Sequence, residues 1–84
     1  MLSSVKLVEV TVTWEPSAAD PREAEKINAE IGRVLKAILP FAHKLVFADL
    51  EGVRLRVDSA ILSQLRKLRK TLRYVDVSFE EVES

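Results

Sequence analysis

The order in which hydrophobic periods follow one another constrains this chain more than any other feature. Residues 8–14 read VEVTVTW, and the alternation of apolar and polar side chains predicts a strand with one buried face. Residues 53–58 (VRLRVD) and 75–80 (VDVSFE) alternate in the same way, and residues 44–49 (KLVFAD) are mostly apolar. We therefore predict strands at about 5–14, 44–49, 52–58 and 74–80.

Two segments between these strands have helical periodicity instead. The first begins with Asp20 as a cap, Pro21 at the first helical position and Glu23 three residues after the cap, and Pro40 ends it. We predict helices at about 21–39 and 60–72. Their apolar stripes consist of Ala24, Ile27, Ile31, Val34, Leu35 and Ile38 in the first, and Ile61, Leu62, Leu65, Leu68 and Leu72 in the second.

The resulting order is β-α-β-β-α-β, which predicts a single α+β domain over residues 1–84. Right-handed crossovers place both helices on one face of a four-stranded antiparallel sheet in the order 4-1-3-2, the ferredoxin-like plait. The first and third strands are then central. Glu9 is therefore expected opposite Arg54 or Arg56 on the face that the helices leave open.

Two glycines carry separate expectations. Gly32 interrupts the first helix at the edge of its apolar stripe, which predicts a close approach of the second helix. Gly52 ends the tetrapeptide DLEG between two strands, which predicts a tight hairpin connection with a positive φ at the glycine.

Composition excludes several classes of function. The chain of 84 residues has 13 Lys and Arg against 13 Asp and Glu, so no global field attracts nucleic acid or anionic membrane. It has no cysteine, which excludes disulfides, thiolate nucleophiles and cysteine-based metal sites. No apolar run approaches the ~20 residues of a membrane span. We expect a soluble, cytoplasmic-type protein without cofactor, metal or membrane partner.

Known chemistries of this fold lack their required residues here. A copper carrier needs a Cys-x-x-Cys loop, and an acyl phosphate hydrolase needs a glycine-rich loop with an arginine, whereas the first loop reads EPSAAD. An RNA-recognition module stacks bases on outward aromatic side chains of the central strands. Only Tyr74 is expected to be an outward aromatic, and the outward central positions are Glu9, Thr11, Thr13, Arg54 and Arg56.

The lone histidine is His43, and histidine is the residue type most often used as a general base. That role requires an orienting carboxylate and a nucleophile or water within reach, and no spacing around His43 provides them. A surface or packing role is the expectation, and no catalytic residue is predicted.

The strongest local irregularity is RKLRKTLR at residues 66–73. It contains five cations with no acidic residue between positions 59 and 75, and these are Arg66, Lys67, Arg69, Lys70 and Arg73. One interpretation is a phosphate-contacting face for RNA or DNA. The other, which the sequence favours, is a solvated helix surface beside the glutamate-bearing first helix.

Self-association is a third class of function that the sequence allows. Exposed apolar side chains at Leu7, Val46, Ala48 and Tyr74 predict a small patch. We expect a monomer or a weak homodimer formed through a sheet edge or the open face.

Residues 5–80 resemble designed, idealised ferredoxin-like proteins. The resemblance rests on DPREAEKINAEI, on the alternation in GVRLRVD and YVDVSF, on the absence of cysteine and on short connections. It implies a stable, non-catalytic scaffold without natural substrate. Gly32, the LPFAHK connection and the basic second helix depart from it. The alternative is a small natural nucleic-acid- or complex-binding subunit that uses the five cations.

Overall fold

The computed structural model describes residues 6–15 and 20–82. The strands are β1 (Leu7–Trp14), β2 (Ala42–Ala48), β3 (Gly52–Asp58) and β4 (Val75–Glu81), and the helices are α1 (Pro21–Ile38) and α2 (Leu62–Arg69). Short 3-10 turns span Leu39–Phe41 and Ser59–Ile61. Most of the predicted EPSAAD turn, and the predicted first residue of β1, lie outside the described residues.

The four strands form one antiparallel sheet in the order β2-β3-β1-β4. This is the predicted order read from the opposite edge. Val10 is paired with Leu55 on one side and with Phe79 on the other. The prediction of an α+β structure with a four-stranded antiparallel sheet and two helices is confirmed.

One face of this sheet carries the core. Strand residues that alternate along β1, β3 and β4 are buried together with residues from both helices, so the helices cover the same face. The buried apolar residues are Val8, Val10, Val12, Ile27, Val34, Ile38, Leu55, Val57, Ile61, Leu65, Val75 and Val77.

The start of α1 follows the predicted capping. The Asp20 carboxylate accepts the N–H of Arg22 at 2.9 Å, and the Asp20 carbonyl accepts the N–H groups of Glu23 and Ala24. Pro21 occupies the first turn, where its missing N–H costs nothing. The helix ends at Ile38, two residues before Pro40.

The second helix is shorter than predicted. The Asp58 carboxylate accepts the N–H of Ala60, and the first turn is a 3-10 turn, so α2 begins at Leu62 rather than residue 60. At its end, both the N–H and the hydroxyl of Thr71 donate to the Leu68 carbonyl, at 2.9 and 2.8 Å. These bonds span three residues instead of four and end the helix at Arg69.

For both glycines, the structural reason that the sequence suggested is wrong. A Cβ at Gly32 has no neighbouring atom within 4 Å, so Gly32 faces open space and not a second helix. Gly52 does not have a positive φ. Glycine is required at position 52 because a Cβ there would lie 2.6 Å from the Val12 carbonyl oxygen of the adjacent strand.

Strand β2 begins at Ala42 rather than residue 44, and its pairing with β3 is irregular at two points. Leu45 is paired with Leu55 but Phe47 is paired with Arg54, so one extra residue lies between them. A bulge of this kind reverses the alternation of faces. Leu45 is therefore on the helix-covered face and Phe47 on the open face, whereas simple alternation predicts that both share a face.

Candidate functional site

The structure brings the five predicted cations together at the end of α2. Arg66, Lys67 and Arg69 lie in its last turn, Lys70 is the C-cap residue, and Arg73 lies in the connection to β4. All five are exposed. The helix surface considered for these cations therefore ends at Arg69, because the Thr71 bonds end the helix there, and Lys70 and Arg73 follow it.

Two of the five cations cover an aromatic ring. The guanidinium carbons of Arg66 and Arg69 lie 5.9 and 5.2 Å from the centroid of the Phe79 ring on β4. Arg69 also donates from Nη1 to the Val77 carbonyl at 3.4 Å. Each cation–π contact at an exposed site stabilises by about 0.5–1 kcal/mol. The contacts hold the two arginine side chains in place while their surfaces remain exposed.

No cation of this group forms a salt bridge within residues 6–15 and 20–82, where the ion pairs involve other basic side chains. The solvated-surface interpretation places the glutamates of α1 beside them, but no such pair is formed there. Instead α1 contributes Arg33, whose Nη2 donates to the Thr71 hydroxyl at 2.9 Å. We call the six side chains the basic cluster: Arg33, Arg66, Lys67, Arg69, Lys70 and Arg73. Arg33 could not be found from spacing, because it lies 38 residues from Thr71 in the chain.

Glu30 of α1 fixes the segment that follows α2. Its carboxylate is buried, with 8% exposure, and accepts the N–H groups of Arg73, Tyr74 and Val75 at 2.8–3.1 Å. This role was not predicted from the sequence. The available signal is position, since Glu30 lies three residues after Ile27 and four before Val34, on the buried stripe of α1.

The protonation of Glu30 follows from these contacts. Burial alone raises the pKa of its carboxyl. The donated backbone N–H groups and the positive charge of Arg33 outweigh burial, so the pKa lies below the ordinary glutamate value. The carboxylate is therefore ionised at neutral pH and anchors the connection that carries Arg73.

The open face of the sheet has a cross-strand ion network. Glu9 is paired with Arg56 in register, as predicted, and its two oxygens lie 3.4 Å from Arg54 Nε and 3.6 Å from Arg56 Nε. Arg54 Nε also donates to the Thr11 hydroxyl at 3.2 Å. An open depression of about 250 Å³ adjoins this network, lined by Glu9, Thr11, Arg54, Ser78, Phe79 and Glu80. The acidic side chains give it mixed charge.

The aromatic residue of the open face is Phe47 and not Tyr74. Phe47 is 53% exposed and borders a second depression of about 180 Å³ with Thr11, Thr13 and Arg54. Tyr74 is partly buried and packs against the core. Phe47 was not expected to face outward, and the bulge in β2 explains this error because it turns Phe47 to the open face.

His43 lies exposed on β2, between the paired residues Ala42 and Lys44. It lines neither of the two open-face depressions. A general-base role, which was not the expectation from the sequence, therefore gains no partner residue from either depression.

The apolar surface differs from the predicted patch. Leu7 is partly buried and Tyr74 packs against the core, whereas Val46 and Ala48 are exposed as predicted. Of the predicted residues, only Val46 belongs to the large exposed apolar side chains of the described residues, which are Leu39, Leu45, Val46, Phe47 and Leu50.

Neither helix of residues 6–15 and 20–82 combines the length and apolar character that crossing a bilayer requires.

Comparison with known proteins shows that this chain is similar to a viral protein. Over 52 residues it is 35% identical to Uncharacterized protein 17 of Sulfolobus islandicus filamentous virus (isolate Iceland/Hveragerdi). The match covers 62% of this chain and 68% of the viral protein. No family model matches the chain. At this identity and coverage, the chain belongs to the same protein family as this viral protein.

Proposed function

We propose that this protein is a non-catalytic subunit that binds nucleic-acid phosphates through the basic cluster. The observation that carries the proposal is the absence of salt bridges to the cluster within the described residues. Arg33 lies near the Glu30 carboxylate, but the other five cations have no ion-pair partner among the described residues and are available to an anionic ligand. They release counterions from nucleic acid on binding, which is the main source of sequence-independent affinity.

The arrangement of the cluster supports contact with a backbone rather than with bases. Arg66 and Arg69 are held on Phe79, and Lys67 and Lys70 extend from the same helix end without a fixed partner. The cluster has no exposed aromatic ring for stacking, since the two arginines cover Phe79. We therefore expect binding that depends strongly on salt and little on sequence.

The fold and origin belong to the same proposal. The element order β-α-β-β-α-β, with the strand order 4-1-3-2, supports assignment to the ferredoxin-like plait. The relation to a viral protein favours a natural binding subunit over the designed scaffold that the sequence resembles. An inert scaffold predicts no binding even at low salt, so one titration distinguishes the two hypotheses.

The test is a fluorescence anisotropy titration of labelled single-stranded RNA and duplex DNA of about 20 nucleotides, at low and at physiological salt. We expect saturable binding at low salt, with affinity falling as salt rises. Replacing Lys67 and Lys70 with alanine removes two phosphate contacts and should weaken low-salt binding on the order of tenfold.

The matched control replaces Arg22 and Lys26 with alanine. Both are exposed on the first two turns of α1, so the control removes the same charge from another helix. It should change affinity much less. Absence of binding at low salt, or equal weakening by both double variants, would contradict the proposal and favour the scaffold or a diffuse charge effect.

A further inference from the structure

The exposed apolar surface of this protein is concentrated at one edge of the sheet. The five large apolar side chains that are exposed among the described residues all fall between positions 39 and 50. They are Leu39 (58%), Leu45 (58%), Val46 (40%), Phe47 (53%) and Leu50 (84%). This segment contains β2 and the turns at its two ends, and we call it the β2 edge. Exposed apolar side chains concentrated along one sheet edge are more typical of an interaction site than the same residues scattered over the surface.

The helices leave this edge uncovered. Six of the seven residues of β2 are exposed. Leu45 is on the helix-covered face opposite Leu55, yet Leu55 is buried and Leu45 is not. Because β2 is the outermost strand of the sheet, no other strand among residues 6–15 and 20–82 lies beside its outward N–H and C=O groups. An apolar edge strand with free backbone groups is a template for pairing with another strand.

We propose that the β2 edge pairs antiparallel with the β2 edge of a second copy of this chain. The two sheets then form one continuous eight-stranded sheet across a two-fold axis. The new backbone bonds satisfy the outward groups of both strands. On the helix-covered face of the sheet, the partner copy covers Leu45. On the open face, it covers Phe47.

Charge along the strand supports a second copy as the occupant. Lys44 lies near the start of β2, and Asp49 and Glu51 lie in the turn after its end. Antiparallel pairing about a two-fold axis brings the start of each strand to the end of its partner. Each lysine then approaches the acidic turn of the other copy, and the symmetry forms this contact twice.

The other edge of the sheet is unsuited to the same pairing. Strand β4 carries Asp76 near its start and Glu80 and Glu81 at its end, so two antiparallel copies would bring like charges together. In addition, Arg66 and Arg69 cover Phe79, its apolar residue near the end. The proposal therefore assigns self-association to β2 alone and is independent of the basic cluster.

The test is sedimentation velocity of the whole chain over about 5–500 µM, a range that covers the weak affinity of a small interface. We expect the mass to rise from monomer to dimer and to stop there. A variant with Leu45→Lys and Val46→Lys should remain monomeric throughout. Both residues are exposed, so circular dichroism should show an unchanged fold. The matched control, Asp76→Lys with Ser78→Lys on β4, should dimerise as the wild type does.

A charge exchange tests the antiparallel geometry. Lys44→Glu should weaken the dimer roughly fivefold, since it places like charges together at two symmetric contacts. Adding Glu51→Lys to that variant should restore the affinity. A monomer at every concentration overturns the proposal. A dimer that persists in the Leu45→Lys, Val46→Lys variant also overturns it. So does assembly beyond the dimer that is abolished by Asp76→Lys with Ser78→Lys. The antiparallel geometry is overturned if Glu51→Lys does not restore the affinity lost in Lys44→Glu.

Discussion

The two edge strands of the sheet differ in the contacts that hold them to the rest of the molecule. At β4, the buried carboxylate of Glu30 accepts the N–H groups at the start of the strand, and two arginines cover Phe79 near its end. At β2, six of seven residues are exposed and the pairing with β3 is interrupted twice. One edge is tied to both helices, and the other is held by its hairpin.

The hairpin itself is well fixed. The Asp49 carboxylate accepts the N–H groups of Glu51 and Gly52, and the Trp14 indole donates to the Leu50 carbonyl at 2.9 Å. The turn after β2 is therefore ordered by polar contacts while the apolar side chains around it remain exposed. The difference between the edges is that both helices anchor β4 while β2 remains exposed, and the proposed pairing with a second copy rests on that exposure.

Replacing Glu30 should have the largest effect of the single substitutions. Glu30→Gln removes the charge that strengthens three backbone hydrogen bonds and points an amide donor at other donors. We expect a loss of about 2 kcal/mol in the free energy of unfolding, measured by chemical denaturation. The control Glu25→Gln changes an exposed residue of the same helix and should alter stability by less than about 0.5 kcal/mol. Similar losses in both variants would contradict the anchoring of β4.

The pH dependence gives Glu30 a second test. Because its pKa is lower in the folded state, the carboxylate contributes stability that is present above the unfolded pKa. That stability is lost as pH falls through the folded pKa. Denaturation curves from neutral to acidic pH should therefore show a steeper decline for the wild type than for Glu30→Gln. Parallel declines would show that Glu30 does not carry this dependence.

Gly52→Ala should have the next largest effect. The new Cβ would lie 2.6 Å from the Val12 carbonyl and 3.1 Å from Thr13 Cγ2, so β1 and β3 must separate locally. We expect a loss of about 1–2 kcal/mol from this overpacking, measured by denaturation. A neutral result would mean that the close approach of these two central strands is not as described.

Gly32→Ala should have the smallest effect, and with the opposite sign. The position is exposed and a Cβ there meets nothing within 4 Å, so alanine should stabilise α1 by about 0.5–1 kcal/mol. A thermal melt of this variant beside Gly52→Ala compares the two glycines directly. A lowered melting temperature for Gly32→Ala would restore the rejected idea of a close helix contact.

The sequence was sufficient where a regular period repeats. The alternation in β1, β3 and β4 and the caps at Asp20 and Pro21 predicted the elements and the strand order. The period fails in β2, because each bulge adds a residue that reverses the faces and no residue type there marks the bulge. This is why Phe47 was not among the aromatic side chains expected to face outward.

The candidate site was predictable only in part. The five cations are visible as an acid-free run, but their environment depends on contacts between distant residues. Arg33 reaches the cluster from 38 positions away, and Phe79 reaches it from β4. Glutamate is usually a surface residue, so residue type alone does not predict that Glu30 is buried. Only its position on the apolar stripe of α1 indicates the burial that is observed.

The most direct measurement of the central claim is amide hydrogen exchange at dilute and at high protein concentration. If the β2 edge is open in the monomer and pairs with a second copy, protection should rise with concentration for residues 42–48. It should stay constant for residues 75–81. Protection of residues 42–48 that does not change with concentration, or a rise confined to residues 75–81, would contradict the account.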